Sequence, residues 1–263
     1  MLTMSGFILE EKINTGEMNK PKEKIMKYGP SYFVAGIHAL ILSTRGCQHF
    51  LQLLHTIPKY QMQQIPVSSI LTHVEISAVD YRHITQAQTS VELSNLLFLS
   101  WIIYDLIHVI SSYPKLGGFD TIIHHCLFMG AALVNGYYVI YIFPFSWLIM
   151  GELSTIFLNI RWFLIQTGRG STKMMKWCNY IFAIFFFLTR VILYGWGLYL
   201  MSRPDVWTVI LELPAPKYLV LSVLGLLVIG YFLNLLWMKS IVEMATKNNE
   251  KGRKSKKIPT KNI

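Results

Sequence analysis

Two adjacent histidines, His124 and His125, stand in the otherwise apolar run "TIIHHCLFMG" at residues 121–130. An imidazole gains or loses a proton near neutral pH and can accept an acyl group, and a neighbouring acid that holds its tautomer makes it a better base. Two carboxylates in comparable apolar surroundings, Asp105 and Glu152, could play that part. Asp105 and His108 stand three residues apart and share a helix face, as do Glu152, Thr155 and Asn159. Adjacent His124 and His125 diverge by about 100° on a helix and can reach different neighbours. The candidates for proton or acyl chemistry are therefore His124, His125, Asp105 and Glu152. His38, Arg45, Arg161, Arg190 and Asn234 are further polar groups in apolar runs. The bland alternative is that all of these are interhelical hydrogen bonds, each worth near 0.6 kcal/mol.

The elements that must position these residues are membrane helices. Of the 263 residues, 53% are hydrophobic and only 14% charged, against about 25% charged for an average soluble domain. Six stretches are apolar enough for the roughly 20 residues that cross a bilayer: 31–51, 92–112, 120–135, 137–165, 177–201 and 217–240. Asn135-Gly136 reads as the turn between the third and fourth. None of the runs alternates as barrel strands do, so the expected class is all-α, a polytopic membrane protein of about six helices. With both termini on one side, that side carries the five lysines before the first span, Lys115, Arg169, Lys173, Lys176 and the basic tail. The other side keeps Lys59, Arg82, Arg203 and Lys217. The positive-inside rule then puts both termini in the cytosol. In that orientation His38, Asp105, His108, His124 and His125 lie at similar depth in the cytosolic half. Ionisable groups cost roughly 2.5–3.5 kcal/mol each in a bilayer, so their gathering implies a polar chamber opening toward the cytosol.

Other features narrow the function. Residues 1–29 form a polar cytosolic segment with no signal peptide, leaving the first span to direct insertion. The tail 241–263 reads as a disordered, basic cytosolic end whose charge sets topology, and it bears no dilysine address. The loop 56–91 is long and polar and carries no readable chemistry. Cys47, Cys126 and Cys178 lie in or beside apolar runs and read as small buried hydrophobes. The aromatic runs "YYVIYIF" and "YIFAIFFFLTR" read as interfacial belt and lipid-facing surface, with Phe186 facing lipid. A membrane di-iron site would need repeated His boxes at i, i+3 and i+4 spacing, so no metal is expected. Nothing suggests a phosphate loop or a nucleic-acid module.

In order and spacing, several stretches resemble the TLC-domain family of polytopic membrane proteins, named for translocating-chain-associating protein, longevity-assurance ceramide synthases and a ceroid-lipofuscinosis protein. They are "GIHALIL" with His38, "YDLIHVI" with Asp105, "FDTIIHHC", "MGELSTIFLNIRWF", "FFLTRV" with Arg190 and "NLLWM" with Asn234. Together they cover about residues 30–240, and the stretch from Glu152 to Trp162 looks most like the TLC domain-containing protein 4 subgroup. The resemblance implies a TLC membrane domain over 30–240 that binds or handles a membrane lipid in the endoplasmic reticulum or another endomembrane. His38, His108, Thr155, Asn159, Arg161, Arg190 and Asn234 would line its lipid chamber. Ceramide synthases follow their histidine pair with a His-Asp step and a second Asp three residues later. This chain has Gly151-Glu152 and Thr155 at those positions. The altered acids favour a non-catalytic lipid binder that influences membrane composition and needs no cofactor. Two alternatives stay open. One is a ceramide-synthase-like lipid N-acyltransferase, with acyl-CoA as co-substrate and His124 or His125 as base or acyl carrier. The other is a cargo or translocon accessory.

Overall fold

The computed structural model describes residues 21–62, 81–116, 118–138, 145, 148–202, 204 and 215–256. Six helices follow one another there: α1 (Pro21–Met62), α2 (Tyr81–Ser111), α3 (Phe119–Tyr138), α4 (Glu152–Gln166), α5 (Lys173–Met201) and α6 (Lys217–Lys256). A 3₁₀ turn, Ile149–Gly151, leads into α4, and a π-helical stretch, Phe187–Leu193, divides α5. No strand occurs among the described residues.

The distribution of polarity is that of a protein solvated by lipid. Large apolar side chains such as Phe33, Leu96, Ile107, Trp177, Tyr199 and Leu236 are exposed on the outside. Ser94, Asp105, His125, Glu152, Asn159, Arg190 and Asn234 are buried inside. Hydrocarbon rewards the first arrangement, and the second follows because it offers polar groups no partner. Thr89–Ser111, Lys173–Met201 and Lys217–Ala245 are long and apolar enough to cross a membrane. The other three helices carry more polar residues or, like the 15-residue α4, fall short of bilayer thickness.

Several boundaries differ from those the sequence predicts. Asn135-Gly136 is not a turn but lies inside α3, which runs on to Tyr138. Gly136 is there because α2 comes close: a Cβ on it would stand 2.8 Å from Asn95 Nδ2, which donates to Ala132 O. Of the span expected at 137–165, residues 137–138 end α3, Phe145 and Leu148 are helical, Ile149–Gly151 form the 3₁₀ turn and α4 begins at Glu152; residues 139–144, 146 and 147 lie outside the described residues. Within the loop expected at 56–91, residues 56–62 belong to α1 and 81–91 to α2, and residues 63–80 lie outside the described residues. Instead of becoming disordered at residue 241, the chain stays helical to Lys256; residues 257–263 lie outside the described residues. Of the "YIFAIFFFLTR" run, only Tyr180, Ile184, Phe187 and Leu188 are exposed. Phe182 and Phe186 are buried against Trp237 and Ile241 of α6, which corrects the lipid-facing reading of Phe186. Of the cysteines, Cys178 is buried, Cys47 half-buried and Cys126 exposed.

α1 packs along α4, α2 along α3, α4 along α5, and α3 along α6. The α4–α5 connection is fixed locally. Gly168 takes φ +74°, and the amides of Gly168 and Arg169 donate to Ile165 O and Leu164 O, closing α4 with a Schellman cap. Thr172 then caps α5 by accepting from Met175 N. At the cytosol-predicted end of α1, Tyr32 stacks on Trp162 with centroids 3.8 Å apart. Near the other end, Arg45 donates to Ser94 Oγ at 2.6 Å and Ser90 O at 2.7 Å, while His49 Nε2 lies 3.0 Å from the same Ser94 hydroxyl. These bonds tie α1 to α2.

Gly46 marks the closest approach of α1 to the turn before α4, for an added Cβ would lie 2.9 Å from the Met150 backbone nitrogen. Gly46→Ala should therefore destabilise the protein by about 1–3 kcal/mol through overpacking. Gly225→Ala, in α6 where a Cβ meets nothing, should be neutral or gain up to about 1 kcal/mol in helix propensity. Thermal unfolding in detergent, followed by tryptophan fluorescence, separates the two; equal midpoints would rule out a tight α1 contact.

Candidate functional site

The two histidines face different neighbours. His125 is buried with both ring nitrogens engaged: Nδ1 lies 2.8 Å from Thr121 O one turn back, and Nε2 lies 2.8 Å from Asp105 Oδ2 on α2. A carbonyl oxygen only accepts, so Nδ1 carries a hydrogen and donates. The other contact is then either imidazolium with carboxylate or imidazole with carboxylic acid, and the pair is neutral overall in both forms. His125 is thus a brace between α2 and α3, with no nitrogen presented to a substrate.

His124 points the other way, toward α6. Its ring packs between Phe128 and Trp237, with centroids 4.6 and 5.0 Å away. Trp237 Nε1 is in turn held by Asp120 Oδ2 at 3.2 Å, in the first turn of α3. The histidine is therefore placed by an aromatic wall that a single side chain on α3 fixes.

Arg190 supplies the strongest electrostatic feature. It sits in the π-helical stretch of α5, and its Nε is 3.1 Å from both Gly151 O and Ser154 Oγ. Its Nη2 donates to Glu152 Oε1 at 3.4 Å and Thr155 Oγ1 at 3.3 Å. Both charges of the Arg190–Glu152 pair are buried, so each is the other's counter-charge, and removing one alone would leave an uncompensated charge in a low-dielectric interior. Thr189 and Arg190, both buried, lie in this π-helical turn; such turns are frequent at functional sites.

These groups surround a cavity of about 40 Å³ among α2, α3, α5 and α6 and the turn before α4. Its polar lining includes His124, Glu152, Arg190, Asn135 and Asn234, and its walls include Phe98, Phe128, Ile149, Val223 and Leu227. At one probe sphere of roughly 10–15 Å³ per water, it has room for about three waters. Of the residues singled out in the sequence, His124, Glu152, Arg190 and Asn234 meet here. Thr155 stands behind them, bonded to Arg190.

The remaining candidates lie elsewhere. Asp105 and His108 line a separate cleft of about 10 Å³ with Ser31, Tyr32 and Leu116, so the expected single cluster is two sites. His38 Nε2 reaches Leu97 O at 3.2 Å, and its ring stacks on Trp101. Arg161 donates to Asn179 Oδ1 at 3.1 Å across α4 and α5. Asn159 is buried beside Gly36 of α1 with neither amide atom bonded to protein. Sequence reasoning missed Asn135, disguised by the Asn-Gly turn signal, and Thr189 and Tyr194, which the π turn swings inward without a sequence mark. Among the described residues no three His, Cys, Asp or Glu side chains come together as a metal site.

Fold and site define an all-helical polytopic membrane protein with a small polar chamber inside its bundle. The TLC domain family model matches residues 31–243, and the chain belongs to that family. Topoisomerase I damage affected protein 4 of Saccharomyces cerevisiae is a relative, 25% identical over 204 residues that cover 73% of this chain and 68% of the yeast protein. No solved structure matches.

The His125–Asp105 brace is testable as a pair. Removing one partner takes a buried charge-assisted bond from the other, so His125→Leu and Asp105→Leu should each cost about 1.5–3 kcal/mol. The double Leu variant should lose clearly less than the sum, with a coupling of about 0.5–3 kcal/mol in a double-mutant cycle by thermal unfolding. Strict additivity would mean that the two side chains do not act together.

Proposed function

We propose that this protein binds a membrane lipid in its internal chamber and thereby influences membrane lipid composition, without catalysing a reaction. The observation that carries the reading is the chamber's amphipathic lining. His124, Glu152, Arg190 and Asn234 stand together among Phe98, Phe128, Ile149 and Leu227, as the junction between a lipid's head and its chains requires. A volume of about 40 Å³ fits a polar group, leaving the chains to the surrounding bilayer. Membrane lipids are its partners in this reading, with no nucleic acid and no cofactor. Its place is the endoplasmic reticulum or another endomembrane, with both termini in the cytosol, as the basic residues favour.

The acyltransferase reading keeps one supporting observation, that His124 and Glu152 line the same chamber. Both nitrogens of His125 are occupied, which leaves His124 as the histidine able to serve as base or acyl carrier.

Mass spectrometry of the purified protein tests the two readings. An intact lipid should co-purify, and His124→Gln should keep the protein's abundance while reducing retained lipid several-fold, since an amide preserves polarity but not the ring. An acyl adduct on His124, or acyl-CoA turnover lost in His124→Gln, would replace the binding reading by the enzymatic one. Orientation is tested by protease treatment of intact microsomes: tags at either terminus should be removed, and a tag protected until detergent is added would refute cytosolic termini.

A further inference from the structure

The chamber carries no net charge from its ion pair. Arg190 is matched by Glu152, and four oxygens, those of Gly151, Ser154, Glu152 and Thr155, accept from it. An ionised phosphate entering would find the guanidinium already engaged and a carboxylate beside it, and desolvating such an anion there is costly.

Two amides offer the opposite. Asn234 Oδ1 and Asn135 Oδ1 are buried without a hydrogen-bond partner, in side chains whose residues are 1% and 7% exposed, and both residues line the chamber. Buried polar atoms are nearly always bonded, so two such atoms on one cavity mark positions a ligand can satisfy. An amide presents an acceptor oxygen or, turned over, an N–H donor. Its complement is a group that both donates and accepts, which a hydroxyl does and a fully ionised phosphate does not. Asn159 is likewise unbonded but lies outside the chamber.

Resting on the lipid-binding reading, we infer that the chamber selects a neutral lipid whose head is a hydroxyl, of the diacylglycerol or sterol kind, over a phosphate-bearing lipid. Asn234 and Asn135 are the residues that recognise the hydroxyl.

The test uses two probes that differ only by the phosphate, dioleoylglycerol and dioleoylphosphatidic acid, titrated into the full-length purified protein and read by native mass spectrometry. The wild type should retain the diacylglycerol at least about tenfold better, the discrimination expected when one buried polar group is left unmatched. Asn234→Leu, close in volume but apolar, should bring diacylglycerol retention down to that of phosphatidic acid and leave the latter unchanged. Asn135→Leu is measured in parallel, so that a folding failure of either variant leaves the other informative. Equal or stronger retention of phosphatidic acid by the wild type overturns the neutral-hydroxyl inference while the lipid-binding chamber stands. Retention of neither lipid, nor of cholesterol titrated in parallel, overturns the chamber reading itself and the inference with it. Diacylglycerol retained at wild-type level by both Leu variants overturns the assignment of the two amides.

Discussion

The clasp of Arg190 on Glu152, Thr155, Ser154 and the Gly151 carbonyl is the interaction on which the interior depends. A lone guanidinium inside a bilayer protein would be expelled or would draw in water, and a lone carboxylate would behave likewise. Held together, they fasten α5 to the start of α4. They also fix the 3₁₀ turn whose Ile149 and Gly151 form part of the chamber wall. The clasp removes net charge from the cavity at the same time, which in the proposed lipid-binding reading sets the kind of head group it admits.

The outer surface and the inner seams obey one rule applied in opposite directions. Lipid accepts apolar side chains, so the bundle exposes them; lipid offers no hydrogen bonds, so polar groups turn inward and find each other. The α1–α2 tie through Arg45, Ser94 and His49, the α2–α3 brace through Asp105 and His125, and the α4–α5 bond from Arg161 to Asn179 are separate results of that rule. Their division of labour explains why only some of the buried polar residues reach the chamber.

Much of this was legible in the sequence because hydrocarbon makes hydropathy a strong signal. The helical class, the runs that form helices and the inward set containing Asp105, His125, Glu152, Arg190 and Asn234 follow from apolar periodicity interrupted by costly polar residues. Azimuth was not legible. Depth along a helix can be counted, but which neighbour a side chain meets depends on rotations between helices. Asp105 and Glu152, expected in one cluster, accordingly line different cavities. The Asn135-Gly136 turn signal failed for a related reason: the glycine serves the close approach of Asn95, a demand that comes from another helix. Phe186 failed because its exposure was judged from composition, whereas Trp237 and Ile241 claim its face.

The π-helical stretch from Phe187 to Leu193 gives α5 an unusual relation to insertions and deletions. Upstream, Phe182 and Phe186 face α6; downstream, Tyr194 donates its hydroxyl to Leu227 O on the same helix at 2.8 Å. At about 100° per residue, the eight steps from Phe186 to Tyr194 would turn an unbroken α-helix roughly 80° off the phenylalanine's face, whereas seven steps would end within roughly 20° of it. The wider π turn takes up the extra residue, which is how both side chains reach α6. Loss of one codon within 187–193 is therefore absorbed by closing the stretch into plain α-helix, with both halves still facing α6. Loss of one codon in the α-helical part on either side has no such slack and swings one half of α5 against the other by about 100°.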